Sequence, residues 1–278
     1  RLEREHDNLR ATLAWALGAG QSELAARTAS AIWRFWATRG YLSEGRQWPS
    51  QILLHDAAIS PASRAKLLHA AGGLALWQND YGAARSYFDQ SLTIRRSLGD
   101  KAGIAMGLVG LAVADKEQGY YQKAQHYLEE SLPLLRAIGD TWGTAAALNN
   151  LGVLANSQNQ HQRAQAFHEE SLLLRRQLGN TEGMAISLSN LGMVAYSQGD
   201  NQRARSLFLE SQTLLLKLND QRGLANIFAN LGNVERNQGH YAKAIAHYLE
   251  SIATSKAIGE RRNITECLAE LADTLLRQ

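Results

Sequence analysis

One period governs this chain. Residues 142–180, WGTAAALNNLGVLANSQNQHQRAQAFHEESLLLRRQLGN, nearly recur when the sequence is shifted by 40 positions in either direction. Leu151-Gly152 returns as Leu191-Gly192 and Leu231-Gly232, and in altered form as Leu111-Ala112 and Ala71-Gly72. Ala164 returns as Ala84, Ala124, Ala204 and Ala244, and Ser171 as Ser91, Ser131, Ser211 and Ser251. A fixed period of this size means stacked copies of one supersecondary unit, each burying its apolar face on its neighbours. A chain of 278 residues built this way needs no single central core.

Each unit reads as two helices. Within 142–158 the apolar residues Ala147, Leu148, Leu151, Leu154 and Ala155 fall three and four apart, and Ala164, Phe167, Ser171, Leu172 and Leu174 nearly repeat that spacing within 161–177. Gln78-Asn79, Gln118-Gly119, Gln158-Asn159, Gln198-Gly199 and Gln238-Gly239 lie between the two. Gly and Asn tolerate the left-handed conformation that ends a helix. The second helix stops at Gly99, Gly139, Gly179 or Gly259, and Asp100, Asp140, Asn180 and Asp220 follow as N-caps of the next repeat. Connections this short make the helices antiparallel. Two small columns, Gly152 with its equivalents and Gly103, Gly143, Gly183 and Gly223, predict close helix approach, since mid-helix Gly costs about 1 kcal/mol relative to Ala. Gly152, with Ala164 and Ser171 opposite, is expected to let the first helix approach its partner's backbone.

Leu231-Gly232, then Gly239 and Tyr241 at the turn, then Ala244, Tyr248 and Ser251, resemble the tetratricopeptide repeat (TPR). His161 and Asn201 depart from the Tyr of that pattern, and Glu44 from its Ala. The resemblance covers nearly all of 22–278 and implies an all-α, right-handed superhelical solenoid of antiparallel helix pairs. In this reading 1–278 is one solenoid segment cut from a longer protein. It has irregular helices over 1–60, five regular repeats over 61–260 and the first helix of a further repeat over 261–278. The irregular part begins with an amphipathic helix in 1–18 carrying Leu2, Leu9, Leu13, Trp15, Ala16 and Leu17. A pair at 22–38 and 41–57 follows, with Trp33, Phe35, Trp36, Trp48 and an internal Pro49. Pro133 falls inside the helix at 121–137, where it removes a hydrogen bond.

The order REHDNLRATLAWAL, IWRFWATRGYLSEGRQW and then the repeats is similar to the TPR arm of bacterial STAND proteins, the signal-transduction ATPases that include maltose-type and LuxR-type transcriptional regulators. That resemblance implies an ATPase switch domain upstream and an arm that senses a peptide, a protein or a small-molecule inducer. Asn230-Leu231-Gly232-Asn233 also resembles the repeat of the spindle-orientation adaptor Pins, which implies a free-standing peptide-binding adaptor.

Composition and motifs exclude most chemistry. No G-x-x-x-x-G-K-[ST] loop is present, so an ATPase would lie outside this segment. No H-E-x-x-H occurs, and the nearest histidine pairs, His161/His168 and His240/His247, are seven residues apart. That is too far for two ligands on adjacent turns, so no metal or cofactor is expected. Glu129-Glu130 and Glu169-Glu170 point about 100° apart and read as a solvated outer face rather than a catalytic pair. Net charge is +3 without a Lys/Arg block, which says little about partners. Nucleic-acid binding would need a continuous basic stripe or exposed aromatics, and helical RNA-reading repeats are built differently, so no direct nucleic-acid partner is expected. No apolar run approaches a membrane span and no signal peptide opens the chain. The single Cys267 fits a reducing, cytoplasmic setting.

The remaining signal is on the first helices. In 222–238, Leu224, Ile227, Phe228, Leu231 and Val234 form the expected buried stripe, while Asn226, Asn230, Asn233 and Asn237 fall on another face. Asn150 and Asn190 recur at the same place, beside Tyr196. Asn is a poor helix former, about 0.6 kcal/mol below Ala, and a surface facing only water would use Glu, Lys or Gln. Amides both donate and accept, which suits an extended peptide backbone. Alternatively, Asn150, Asn190 and Asn230 bond neighbouring repeats together. Arg236, one turn beyond Asn233, is expected to meet an acidic group of the partner. Trp33, Trp36, Trp77, Met106 and Val113 are either core or an apolar end of the same groove. The sequence therefore predicts a non-enzymatic binding module whose candidate contacts are Asn150, Asn190, Asn226, Asn230, Asn233, Arg236, Asn237, Tyr196 and Trp77.

Overall fold

The computed structural model describes residues 3–54 and 59–277. Among them the chain forms α1 (His6–Gly18), α2 (Ser22–Arg39), α3 (Leu42–Leu53), α4 (Pro61–Trp77), α5 (Tyr81–Leu98), α6 (Lys101–Glu117), α7 (Tyr121–Ala137), α8 (Thr141–Ser157), α9 (His161–Gln177), α10 (Thr181–Ser197), α11 (Asn201–Leu218), α12 (Gln221–Asn237), α13 (Tyr241–Ala257) and α14 (Arg261–Arg277), and no strand. The all-α architecture of helix pairs is the one the period implied. Two compact units result, residues 1–143 and 144–278.

Local signals place the helix ends. Asp80, Asp100, Asn180, Asp200 and Asp220 each accept a hydrogen bond from the backbone N–H three residues on, and Asp140 does the same for Gly143. Ser60 caps α4 in the same way, with Pro61 in its first turn. Asn79, Asn159 and Asn219 take positive φ where Gly119, Gly199, Gly239 and the second-helix glycines do so elsewhere. Three expectations for the irregular start need adjustment. Trp15 is 60% exposed while Leu13 and Ala16 are buried, because consecutive helical positions point about 100° apart. The helix expected over 41–57 ends at Leu53, with 55–58 outside the described residues. Leu2 also lies outside them.

In the first unit, Leu13, Ala29, Trp36, Ile52, Leu67 and Leu74 form one core cluster, and Ala84, Phe88, Leu92, Leu108 and Leu111 form a second. In the second unit, Phe208, Leu215, Leu224, Ile227, Leu231 and Val234 dominate. Phe228 is only half-buried at the edge of that stripe. Within four of the pairs the contact is a ring on a glycine, while α6 and α7 carry Ala112 and Leu128 at those positions. A Cβ at Gly152 would lie 2.5 Å from the His168 ring, one at Gly192 2.5 Å from Phe208, and one at Gly232 2.6 Å from Tyr248. Gly72 makes the same room for Phe88. The sequence reading expected these glycines to admit the partner's backbone, but they admit its ring instead.

The serine column also does more than stay small. Ser171, Ser211 and Ser251 each donate to a first-helix carbonyl 26 residues earlier, on Ala145, Ala185 and Ala225, at 2.8 Å. Ser91 donates to Ala65 at 2.7 Å. Ser131 instead donates to Leu128 of its own helix. Each carbonyl keeps a second lone pair after its helical bond, so the buried hydroxyl is satisfied without breaking the ladder. The outer acids form exposed ion pairs, Arg96 with Glu130 and Arg203 with Glu169, which contribute little in solvent.

Two predictions follow from these contacts. Gly192→Leu should lower stability by about 1–3 kcal/mol through overpacking against Phe208. Gly99→Asn should be nearly neutral in the same urea melts, since Gly99 has open space and a φ of +65° that Asn219 already adopts at 53°. Equal losses would contradict the ring contact. The second concerns His168, whose ring is buried and whose Nδ1 has no partner among the described residues. Burial first, and then the charge of Arg175, pull its pKa from 6.5 to about 4. The unfolded chain therefore takes up a proton below pH 6.5 that the fold refuses until about pH 4. The stability contributed by neutral His168 is complete above pH 6.5 and falls as pH drops towards 4, by up to about 1.4 kcal/mol per unit. His168→Phe, copying Phe208, should raise the melting temperature more at pH 5 than at pH 7.5.

Candidate functional site

In the second unit α10, α12 and α14 line a hollow of about 460 Å³. Ser189, Asn190 and Met193 come from α10, Asn226, Ala229, Asn230 and Asn233 from α12, and Asn263, Glu266, Cys267 and Glu270 from α14, with Tyr248 at its base. A smaller hollow of about 220 Å³ shares Ser189, Asn190 and Asn226 and continues between α10 and α12. Four of the predicted residues, Asn190, Asn226, Asn230 and Asn233, thus meet in one groove.

Their amides are partly engaged. Asn190 Nδ2 donates to Asn149 Oδ1 at 3.0 Å, joining α10 to α8. Asn226 Oδ1 accepts from Asn263 Nδ2 at 2.8 Å, joining α12 to α14. Asn233 Oδ1 accepts from the Tyr248 hydroxyl at 2.7 Å. Burial first, and Glu270 after it, push the Tyr248 pKa up to about 12 against the pull of Arg236, so the phenol keeps its proton at neutral pH. Each of these three amides uses one end on another side chain, and all three residues line the hollow. Asn230 is half-buried and its side chain makes no hydrogen bond among the described residues.

The other predicted residues lie elsewhere. Asn150 donates to Ala146 O of its own helix at 3.1 Å and does not line the hollow. Asn237 is exposed at the end of α12. Arg236 donates to Glu270 and, at 3.2 Å, to Asp273, both on α14. Burial works against its charge, but Tyr248, Glu270 and Tyr196 outweigh this and its pKa is raised. The acidic partner expected for Arg236 is internal. In the first unit Trp77 is 50% exposed and Met106 39% exposed, Val113 and Trp33 are half-buried, and Trp36 belongs to the core. Cys267 is free and buried, and burial pushes its thiol pKa up, so it stays protonated.

Sequence reasoning missed two buried acids. Glu235 accepts from Arg205 at 3.0 Å and pairs with His240 at 2.9 Å, while Asp115 pairs with Arg85. The signal was present. Where these acids stand, an arginine precedes by thirty positions, and where Ala155 and Ala195 replace the acid, Gln125 and Gln165 replace the arginine. Both pairs tie repeats together outside the groove. No group of three His, Cys, Asp or Glu side chains among the described residues could hold a metal ion, and none of their helices is long and apolar enough to cross a membrane.

Comparison with known proteins agrees with this architecture. Family models described as tetratricopeptide repeat match residues 63–137, 143–217 and 224–258. The chain belongs to the tetratricopeptide repeat family. The Mycobacterium bovis protein named "Putative HTH-type transcriptional regulator Mb0914c" is 34% identical over 116 residues, which is 39% of this chain and 13% of that protein. The chain thus spans only a small part of that relative's length. NprR in complex with its cognate peptide NprX shares the fold with a TM-score of 0.70 at 15% identity, covering 92% of this chain and 77% of that one. BtubC from P. vanneervenii aligns with a TM-score of 0.63 at 21% identity, covering 79% and 90%. A Rap protein complexed with competence and sporulation factor aligns with 0.68 at 11%, covering 92% and 76%. At these identities the likeness is one of fold, a TPR scaffold.

Arg236 is read as a strut between TPR helices, and Arg236→Gln tests that. Glu270 and Asp273 would lose their shared cation, costing on the order of 1 kcal/mol at this half-exposed place. Amide exchange should quicken in α14 before it does in α10. Unchanged protection of α14 would show the strut to be unnecessary.

Proposed function

We propose that the chain is a non-enzymatic binding module that takes an extended peptide or protein segment along the amide groove of its second unit. We further propose that it serves as the sensor arm of a bacterial STAND-type regulator. Asn230 is the observation that carries the first part. It lines the groove in a helix it disfavours, and its side chain bonds nothing among the described residues. An extended backbone offers the donor and the acceptor that this amide and the free ends of Asn190, Asn226 and Asn233 require. Asn150 and Asn237 extend the same kind of surface along α8 and α12, and Tyr196 and Arg236 hold its shape. Trp77, on the first unit, is proposed as an apolar contact for the same partner.

The second part rests on the resemblance of the first two helices and the repeats to STAND arms, together with the match to a predicted HTH-type regulator. NprR and Rap, fold neighbours at low identity, are solved with a peptide and with a sporulation factor. In this reading 1–278 is one solenoid segment of a longer cytoplasmic chain with an ATPase switch domain upstream. The arm itself engages no membrane, nucleic acid or cofactor. A small-molecule inducer would act through the same groove, as would the partner of a free-standing adaptor of the Pins type. Ligand-dependent nucleotide turnover in the full-length chain separates a sensor arm from an adaptor, because an effector must bind one state better than the other to shift anything.

Asn230→Ala tests the groove directly. With no internal bond to lose, the variant should melt at the same temperature or slightly higher, by up to about 0.6 kcal/mol. It should bind a peptide selected on the wild type from a displayed random library roughly three- to ten-fold more weakly. Earlier melting with unchanged binding would make Asn230 structural and remove the basis of this reading.

A further inference from the structure

The first unit carries a different chemistry on its inner helices. Arg34 of α2 is exposed, and among the described residues no carboxylate pairs with it. Its guanidinium carbon lies 5.4 Å from the Trp33 ring centroid and 5.5 Å from that of Trp142. The second contact spans from α2 to the first turn of α8, with α4 and α6 intervening in the order of first helices. Trp33 is fixed. A Cβ at Gly73 would come within 2.6 Å of its ring, so that glycine keeps a place for it, and His69 meets it edge-on at 6.4 Å. Trp142 is 54% exposed.

An arginine in water usually takes a carboxylate or remains hydrated. Here it stands over two indoles, whose faces attract a flat cation by their quadrupole and stack on its plane. Contacts of this kind are weak at exposed sites, so a better-placed cation can displace the one already there. The occupant seen defines what the place accepts. We propose that Trp33 and Trp142 form a slot for an arginine side chain on a partner segment, and that Arg34 fills this slot while the partner is absent. This does not depend on the amide groove of the second unit, which lies in other repeats. An internal occupant lowers the apparent affinity in proportion to the time it holds the slot. The slot is therefore self-competing, and a partner must present its arginine within a longer contact to win it.

The test uses the whole chain and a nine-residue Gly/Ser peptide with one central arginine, against the same peptide carrying citrulline, its neutral isostere. Binding is followed through the indole N–H signals of Trp33 and Trp142 in 15N NMR spectra. The arginine peptide should shift both signals, and the citrulline peptide should bind at least ten-fold more weakly. Arg34→Ala should tighten arginine-peptide binding roughly three- to ten-fold by removing the competitor. Arg34→Lys separates competition from charge repulsion, because lysine keeps the charge but lacks the planar group that stacks. It should also tighten binding, whereas simple repulsion would leave it like the wild type. Trp142→Ala should abolish the effect at unchanged melting temperature. Equal binding of the citrulline peptide, unaltered binding to Trp142→Ala, or wild-type affinity in both Arg34 variants would each overturn the proposal.

Discussion

A ring needs a hole, and in this chain the hole is a missing Cβ. His168, Phe208 and Tyr248 press onto Gly152, Gly192 and Gly232 at distances no alanine could accept without movement. That contact sets how closely the two helices of a pair approach. The approach in turn brings Ser171, Ser211 and Ser251 within 2.8 Å of carbonyls on the facing helix. Neither half works alone. A serine held further off would be a buried hydroxyl without a partner, at a cost of about 1–3 kcal/mol. A mid-helix glycine without a ring on it would weaken the helix for no return.

The sequence made the boundaries of this architecture plain because each is set by one or two local residues. Asp100 and Asn180 cap helices on chemistry contained within three positions, and Asn159 or Gly199 ends one on its own φ. What stayed hidden depends on which atoms meet across the pair. Gly152 announces a close approach in the sequence but not whether backbone or ring arrives, and Ser171 reads equally well as a small residue or a donor. Asn190 and Asn226 were legible as unusual choices. That one end of each amide would join neighbouring first helices could not be read from spacing. Arg236 failed differently. Its acids, Glu270 and Asp273, lie 34 and 37 residues on, in the first helix of the next repeat, and spacing within α12 does not reveal them.

The same separation explains where binding chemistry can sit. Packing columns repeat because every pair must solve the same problem. Ala84, Ala124, Ala164, Ala204 and Ala244 are identical, and so are the five serines from Ser91 to Ser251. Groove columns are under no such demand. The position held by Asn150, Asn190 and Asn230 is Ala70 and Gly110 in the first unit, and Asn149 corresponds to His69 and Val109. Among the groove positions, departure from the period separates the two units by chemistry. By that measure, amides in one unit and indoles with an arginine in the other are two surfaces set apart by chemistry. An extended backbone has no flat cation to place over Trp142, and a guanidinium alone cannot satisfy both ends of Asn230.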